Sequence, residues 1–332
     1  HLRARRLVEH EVDRPVHQRG ARPFGQVMDD GCLGARACLN AVKPAWDAAE
    51  AAGNPVGVGL GLKNSGLGNG ATEVSRSTVR FDPDGTVEIR HCWTEMGQGI
   101  HTVARQVAVE ELGIEADRIK VIVDTTRELG AGQTTGSRGT VMGAGSVADA
   151  CRNAVADGCE IGVEYEGVYV VDWTNSINDG LENPIIHSTF GYAAQLVELD
   201  AVSGDIANVV AAHDVGRAVN PLLCEGQIEG AVHMGLGYAL TEGFPCDENG
   251  KPLNETLRSL DIIRPKDMPP TEVILVESPD PNSPYGIKGV GEIGLVPTAG
   301  AVAAALQAHD GEWRCELPMR TEKNRERVSA WQ

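Results

Sequence analysis

Lys288-Gly289-Val290-Gly291-Glu292-Ile293-Gly294, close to the end of this 332-residue chain, places a single carboxylate between glycines. Glycine frees the backbone to adopt positive φ and to approach a bulky ligand, so Glu292 can be presented at a cavity wall. Such a stretch on its own is more often a solvated turn. Residues 295–306 predict a buried segment and an apolar helix capped by Thr298, which favours an inward position for Glu292. The sequence therefore predicts Glu292 as a general base.

Composition narrows the class of protein. Acidic residues outnumber basic ones by 47 to 29, and the net charge of -18 would repel a nucleic-acid backbone. We expect no membrane segment, because no apolar run approaches the ~20 residues needed to cross a bilayer. The eight cysteines form no C-x-x-C pair, which argues against structural zinc and against an iron-sulfur cluster on this chain. A cytoplasmic location and a chain cut from a longer polypeptide are expected.

The first part of the chain predicts one helix and one glycine-rich strand. Leu39, Val42 and Trp46 recur at helical spacing, and Pro44 within that run predicts a kink or a late start. Residues 56–70 alternate small and apolar residues before a run of glycines. We interpret them as a strand and turn, because no phosphate-loop lysine follows.

A first candidate loop follows a predicted β-hairpin. Two alternating runs flank Asp82-Pro83-Asp84-Gly85, which has the residues of a tight turn. The chain then reaches Gly97-Gln98-Gly99, just before a helical pattern that ends at Gly113. Free N–H groups at a helix N-terminus favour an anion such as a phosphate. The alternative is an ordinary glycine turn.

A second loop, residues 130–140, separates a predicted strand at 119–123 from another helical pattern. Its hydroxyls (Thr134, Thr135 and Ser137) and the Arg138 guanidinium suit a pterin or a phosphate. Two such loops in successive strand-helix units favour a ligand site over chance.

A third loop leads to Asn220 and Pro221, which predict the N-cap and first residue of a glycine-studded helix containing Gln227. Repeated glycine in a helix implies something packed closely against it, either another helix or a flat cofactor. For His213 and His233 a satisfied or exposed histidine is favoured over a metal ligand, since no partner ligand lies four residues away.

In order and spacing, these loops together with Lys288–Glu292 resemble the molybdenum-binding part of the xanthine dehydrogenase and aldehyde oxidase family. The extended stretch 285–298 is most similar to bacterial purine-oxidising members. The resemblance implies an α+β fold of mixed sheets with packed helices, the molybdopterin-binding domain of the xanthine dehydrogenase type. It further implies that residues 1–75 are the end of a first molybdopterin-binding domain and that residues 76–332 form a second.

The resemblance implies a molybdenum hydroxylase acting on a purine or related N-heterocycle, with water as the oxygen source. Glu292 would take the proton from a molybdenum-bound hydroxide while hydride passes to a sulfido ligand. No side chain would bind the metal, since the molybdopterin holds it, and a cytosine dinucleotide form stays open. By the same resemblance the cofactor-binding residues are Gly97, Gln98, Gly99, Thr135, Gly136, Ser137, Arg138, Gly139, Gln227, Lys288 and Gly291.

Two upstream glycine-rich segments of full-length family members are absent from this sequence, so we expect the isolated chain to be inactive. Iron-sulfur and FAD modules are expected on other domains or subunits, within an oligomer. Two alternatives stay open: an aldehyde oxidoreductase of the same family, and a non-catalytic cofactor-binding or assembly fragment.

Overall fold

The computed structural model describes residues 34–127, 129–130, 133–253 and 256–319. Within these ranges the chain forms five helices and eight strands. The helices are α1 Ala35–Ala52, α2 Ile100–Leu112, α3 Gly139–Ala156, α4 Pro221–Leu240 and α5 Thr298–Asp310. The strands are β1 Val56–Ser65, β2 Glu73–Phe81, β3 Val87–His91, β4 Ile119–Val121, β5 Glu164–Val171, β6 Thr189–Leu199, β7 Ile206–Asp214 and β8 Thr271–Val276.

The strands form two mixed sheets. The first has the order β1-β6-β7-β8, with β7 and β8 parallel and the other pairs antiparallel. The second has the order β4-β3-β2-β5, with β3 and β4 parallel. The predicted α+β class of mixed sheets with packed helices is confirmed.

Helices cover both faces of the first sheet, as the buried side chains on the two faces of β6 show. Ala194 and Leu196 pack in a cluster with α1, whereas Val197 and Leu199 pack in another cluster with α4 and α5. Since successive side chains of a strand point to opposite faces, a strand covered on both sides is buried along its length, as β6 is. The second sheet packs against α2 and α3, and Ile287 joins that core. The segment before Glu292 is therefore anchored in the core of the second sheet.

Local predictions from the sequence are largely confirmed. Residues 77–81 pair with residues 87–91, and the turn closes with Asp82 N donating to Thr86 O at 2.9 Å. Helix α1 begins at Ala35 and continues through Pro44, so the late start considered from the sequence is wrong. Pro44 only removes one N–H donor, and the buried residues on either side of it, Cys38 and Ala49, keep the helix on the sheet.

The boundary at residue 75 stays a prediction. Strand β1, which precedes it, pairs along its whole length with β6, which follows it. Residues on the two sides of this boundary therefore share one sheet.

None of the described helices has the length and apolar character needed to span a membrane.

Helix α5 lies directly on the glycines of β1. A Cβ added at Gly57 would lie 2.2 Å from Ala305 N and 2.4 Å from Ala301 O. A Cβ at Gly59 would lie 2.1 Å from Pro297 O. The alternating glycines of this strand thus serve helix packing, which places the start of α5, and the loop before it, against the first sheet.

Gly57→Ala tests this packing. We expect it to lower the free energy of unfolding by about 1–3 kcal/mol, because the added methyl meets helix backbone that cannot move independently. Chemical denaturation of the purified chain measures the change.

The matched control is Gly226→Ala in helix α4, where an added Cβ meets nothing within 4 Å. That variant should be neutral or more stable by up to about 1 kcal/mol, because alanine favours the helix. Equal destabilisation by the two substitutions would contradict the packing argument.

Candidate functional site

Three glycine-containing segments that are far apart in sequence meet at the end of β1. Gly66 N donates to Gly136 O at 2.8 Å, which joins the turn after β1 to the loop before α3. Gly289 N donates to Ser65 Oγ at 2.9 Å, which joins the same strand end to the loop before α5. A Cβ at Gly289 would lie 2.0 Å from Ser137 O. Only glycine permits this approach, so the backbones themselves build the site.

Ser137 and Glu292 hold each other by two hydrogen bonds. Glu292 N donates to Ser137 Oγ at 3.0 Å, and Ser137 Oγ donates to Glu292 Oε2 at 2.7 Å. Ser137 has φ of 53°, in the left-handed region that non-glycine residues rarely adopt. Strain of this kind is found where the surrounding structure fixes a functional group. The contact joins two loops that the sequence proposed separately.

The prediction of an inward-pointing Glu292 is wrong. Its side chain is 51% exposed. Besides Ser137, its carboxylate contacts Lys63, with 3.2 Å between Nζ and Oε2. The neighbours Lys288 and Ile293 are buried instead. These two residues anchor the loop, so the carboxylate between them is turned outward.

Lys288 forms a fully buried ion pair with Asp214, with 2.6 Å between Nζ and Oδ2 and no exposure of either side chain. Asp214 Oδ1 also accepts from Gly216 N at 3.0 Å and Ser278 N at 3.2 Å. Lys288 N donates to Val215 O at 3.1 Å. The Lys288 side chain thus points into the protein and anchors the loop, rather than facing a ligand.

A buried polar chain fixes the other end of the loop. Thr298 Oγ1 donates to Gln195 Oε1 at 2.7 Å, and Gln195 Nε2 donates to Gly294 O at 2.6 Å. Thr298 is the first residue of α5, and its side chain does not cap the helix. The predicted cap is wrong because this hydroxyl is committed to the glutamine.

The same glutamine sets the state of His213. Because Gln195 Nε2 is a donor, His213 Nε2, 3.0 Å away, must accept. The imidazole is therefore neutral, with its proton on Nδ1, which has no partner among the described residues. Burial lowers the pKa of His213 to about 4. His213 is thus satisfied at one nitrogen, and His233 bonds to Ile263 O at 2.6 Å.

The loop before α2 contains a carboxylate that binds the free N–H groups at the start of the helix. The Glu95 carboxylate accepts from Gly97 N at 2.8 Å, Gly99 N at 3.0 Å and His101 N at 3.2 Å. Burial raises the pKa of Glu95, but these N–H donors outweigh it and the pKa is lowered overall. The phosphate site expected from this helix N-terminus is therefore filled by a side chain of the protein.

Gln98 belongs to the same loop and uses its amide within it. Its Oε1 accepts from Met96 N at 2.8 Å, and its Nε2 donates to Thr94 O at 2.6 Å. Thr94 N donates to Thr134 Oγ1 at 3.1 Å, which joins this loop to the one before α3. All the candidate loops are thereby connected.

Arg138 is turned into the protein. It forms an ion pair with Glu73 at 2.8 Å, with side-chain exposures of 4% and 1%, and its charge lies 5.4 Å from the Trp93 ring centre. Arg138 is the N-cap residue of α3, and no side chain caps that helix. The first N–H groups of α3 therefore have no side-chain cap and are available to a ligand anion.

Helix α4 begins as predicted: Asn220 Oδ1 accepts from Leu223 N at 3.0 Å and Pro221 follows. Its glycines divide into two groups. Gly235 contacts Thr298 closely, whereas Gly226 and Gly230 face open space. Gln227 lies half-buried beside them, and its side chain makes no hydrogen bond within the described residues. This part of the helix can accept a ligand.

The exposure of the predicted residues follows from these contacts. Gly97, Thr135 and Gly291 are exposed; Gln98, Gly99, Gly136, Ser137, Gly139 and Gln227 are half-buried; Arg138 and Lys288 are buried.

Sequence reasoning missed Lys63, Ser65 and Gln195. Each lies in a strand whose register was unknown, and the only signal was a polar residue within an apolar strand.

The donors that remain suit a large polar organic group. The described residues include no cluster of three or more His, Cys, Asp or Glu side chains that could hold a metal ion. Gly97, Gly226 and Gly230 instead have open space beside them, and the Gln227 side chain and the first N–H groups of α3 supply hydrogen-bond donors. The fold and site together are those of a domain suited to bind a polar cofactor among glycine-rich loops, with the Glu292 carboxylate exposed on one of them.

Comparison with known proteins places that class in a family. The pattern of the molybdopterin cofactor-binding domain matches residues 35–168 and 154–269. The chain belongs to this family. Its relatives include subunits named for xanthine dehydrogenases and aldehyde oxidoreductases, so the resemblance seen in the sequence is confirmed.

Individual relatives agree. The gamma subunit of the 6-hydroxypseudooxynicotine dehydrogenase complex from Paenarthrobacter nicotinovorans is 29% identical over 82% of this chain and 40% of its own length. One subunit of a probable xanthine dehydrogenase from Bacillus subtilis is 27% identical over 80% of this chain and 41% of its own length. The chain thus spans about two-fifths of the length of these relatives. Relatives named for different substrates match equally well, so the comparisons do not favour purines.

The fold is that of a solved aldehyde oxidoreductase from Desulfovibrio gigas. The two superpose with a TM-score of 0.79 at 23% identity, over 97% of this chain and 39% of that one. Quinoline 2-oxidoreductase from Pseudomonas putida gives a TM-score of 0.66 at 24% identity, over 89% of this chain and 44% of its own.

Removing one partner of the buried ion pair tests its role. We expect Lys288→Met to lower the free energy of unfolding by about 3–5 kcal/mol, because Asp214 is left buried without its counter-charge. The double variant Lys288→Met with Asp214→Leu should be less destabilised than the single one, as denaturant titration will show. A double variant that is less stable than Lys288→Met alone would contradict this account.

The neutral state of His213 predicts a pH dependence. Its folded pKa of about 4 lies below the ordinary 6.5, so the unfolded chain binds the proton more readily. Stability is full above pH 6.5 and is lost as the pH falls from 6.5 to 4, by about 3 kcal/mol at most. Thermal unfolding at stepped pH measures this slope.

His213→Gln is the control, since its side-chain oxygen can still accept from Gln195 but does not titrate. The slope should become shallower but not vanish, because burial, and then His101, lower the pKa of His91 to about 4 as well. An unchanged slope would contradict the assignment.

Proposed function

We propose that this chain is part of the catalytic subunit of a molybdenum hydroxylase, with Glu292 as the general base. The observation that carries the proposal is the meeting of the loops before α3 and α5, where Ser137 holds the Glu292 carboxylate at 2.7 Å. When bound, the molybdopterin cofactor supplies two-electron oxidation chemistry with water as the source of oxygen.

The residues present fit such a cofactor. Gly97, Gly226 and Gly230 have open space where a side chain would be. The Gln227 amide and the uncapped N–H groups of α3 supply hydrogen bonds for a pterin and its phosphate. Thr135 adds a hydroxyl in the loop before α3, whereas the Gln98 amide and the Ser137 hydroxyl would exchange their present hydrogen bonds to bind the cofactor. Lys288 and Arg138, both buried in ion pairs, support the loops from within.

Glu292 has the position that a base requires. Oε2 is engaged by Ser137 and Lys63, whereas Oε1 has no hydrogen-bond partner among the described residues. In this proposal the open oxygen, Oε1, is the one that accepts a proton from water or substrate.

For the substrate we propose a purine or related N-heterocycle. Support comes from a relative named nicotine 6-hydroxylase large subunit, which is 32% identical over 83% of this chain and 41% of its own length. An aldehyde is the alternative, supported by the likeness to an aldehyde oxidoreductase subunit of Escherichia coli at 28% identity over 80% of this chain. Both substrate classes present an electron-poor carbon, so the same base serves either.

We further propose iron-sulfur and FAD partners on other domains or subunits, since relatives are named as subunits of larger complexes. The cytosine dinucleotide form of the cofactor, a cytoplasmic location and an oligomeric assembly belong to the same proposal. The competing function is a non-catalytic cofactor-binding or assembly fragment, which would bind the pterin but never turn over.

Glu292→Gln separates catalysis from binding. In the molybdenum-loaded catalytic subunit containing this sequence, we expect kcat to fall by about 10²–10⁴-fold because the base is lost. Molybdenum content, measured by mass spectrometry, should stay near normal, and turnover should be assayed with purines, N-heterocycles and aromatic aldehydes in parallel.

Glu272→Gln, an exposed strand residue away from the loops, is the control and should retain activity. Full turnover by the Glu292 variant would contradict the base assignment. Absence of turnover by the loaded parent protein on every substrate class would favour the non-catalytic alternative.

A further inference from the structure

Two donors converge on one oxygen of the Glu292 carboxylate. Ser137 Oγ lies 2.7 Å from Oε2, and Lys63 Nζ lies 3.2 Å from the same atom. Ser137 Oγ already accepts from Glu292 N, so its own hydrogen is directed at Oε2. Both contacts leave the second oxygen open. The carboxylate is therefore held in one rotational state rather than left to turn freely.

The position of Lys63 is set by the first sheet. Its strand β1 is paired with β6, with Lys63 opposite Gly191. The ammonium also donates to Asn64 O at 2.7 Å, and the side chain is only 22% exposed. A lysine held by its own backbone has lost much of its freedom before it meets the carboxylate. Less entropy is then lost on pairing than for an ordinary surface lysine.

The other charges nearby have partners of their own. Lys288 is paired with Asp214, and Arg138 is paired with Glu73. Burial, and then the charge of Lys63, lower the pKa of His187, whose Nδ1 lies 3.2 Å from Asn64 Nδ2. His187 is thus disfavoured as a second cation. Within the part of the chain that the structure describes, Lys63 is the cation paired with Glu292.

We propose that Lys63 is a positioning residue for Glu292: with Ser137 it fixes Oε2 and leaves Oε1 as the oxygen that takes the proton. The catalytic part of this inference rests on the proposed function. The contact itself, and its effect on the carboxylate, do not.

Carbodiimide cross-linking of the purified chain tests the contact, because this reagent joins an amine to a carboxylate only where they touch. Mass spectrometry of the digest should show an amide between Lys63 and Glu292. Lys63→Arg and Glu292→Gln should each abolish it. The ion pair of Lys43 and Asp47 on α1, with 2.5 Å between Nζ and Oδ2, is the positive control. Formation of the control link without the Lys63 link would overturn the proposal.

The NMR signal of the Glu292 carboxyl carbon tests the positioning, with glutamate labelled at that carbon and the signal assigned from Glu292→Gln. At neutral pH the signal should move in Lys63→Met and return toward its original position in Lys63→Arg, which keeps the charge. Lys43→Met should leave it unchanged. A signal that Lys63→Met does not move, in a variant with unchanged thermal unfolding, would overturn the proposal.

In the loaded catalytic subunit, Lys63→Met should lower kcat by about 10- to 100-fold with little change in KM, and Lys63→Arg should restore most of it. Equal loss in both variants would overturn the positioning role. Failure of the chain to bind the cofactor would contradict the proposed function without affecting the cross-link. The two proposals can therefore fail separately.

Discussion

The buried ion pair between Lys288 and Asp214 is the interaction on which the site depends. Two charges removed from water are costly unless they meet at close range with further hydrogen bonds, and here Nζ and Oδ2 are 2.6 Å apart. Asp214 ends strand β7, whereas Lys288 begins the loop that carries Glu292. The pair therefore attaches that loop to the central strands of the first sheet. Because a displaced Lys288 would leave both charges unpaired in the interior, the loop has one permitted position.

Glycines then allow the backbones of the loops to approach each other closely. Gly289 lies against Ser137 and Ser65, and Gly136 lies against Gly66. At the far end of the loop, Gln195 binds the Gly294 carbonyl and the Thr298 hydroxyl together. A carboxylate between two anchored ends needs no burial of its own to be held in place. This explains how Glu292 can be both exposed and fixed.

Local patterns predicted much of the chain because they depend on neighbours in sequence. The hairpin turn at 82–85 and the Asn220 cap are short-range features, and both are found. Other interpretations failed where a polar group bonded to a partner that the sequence pattern did not indicate. Thr298 looked like a cap but bonds to Gln195, 103 residues away. The N–H groups of Gly97, Gly99 and His101 looked free but bind the nearby Glu95. Several partners compete for each polar group, and local patterns do not show which one is bonded in the folded chain.

By itself the sequence determined the α+β class, the glycine loops, the single carboxylate between glycines and the likeness to molybdenum-binding subunits. The loops follow from turn chemistry and periodicity, whereas the α+β class was implied by the family likeness, which the order of the motifs carries. Only the tertiary structure decided that Glu292 faces outward, that Lys288 and Arg138 face inward, and that Lys63 and Ser137 meet at one carboxylate oxygen. Those arrangements depend on strand register and on which charges find counter-charges, and both are set when segments far apart in sequence pack together.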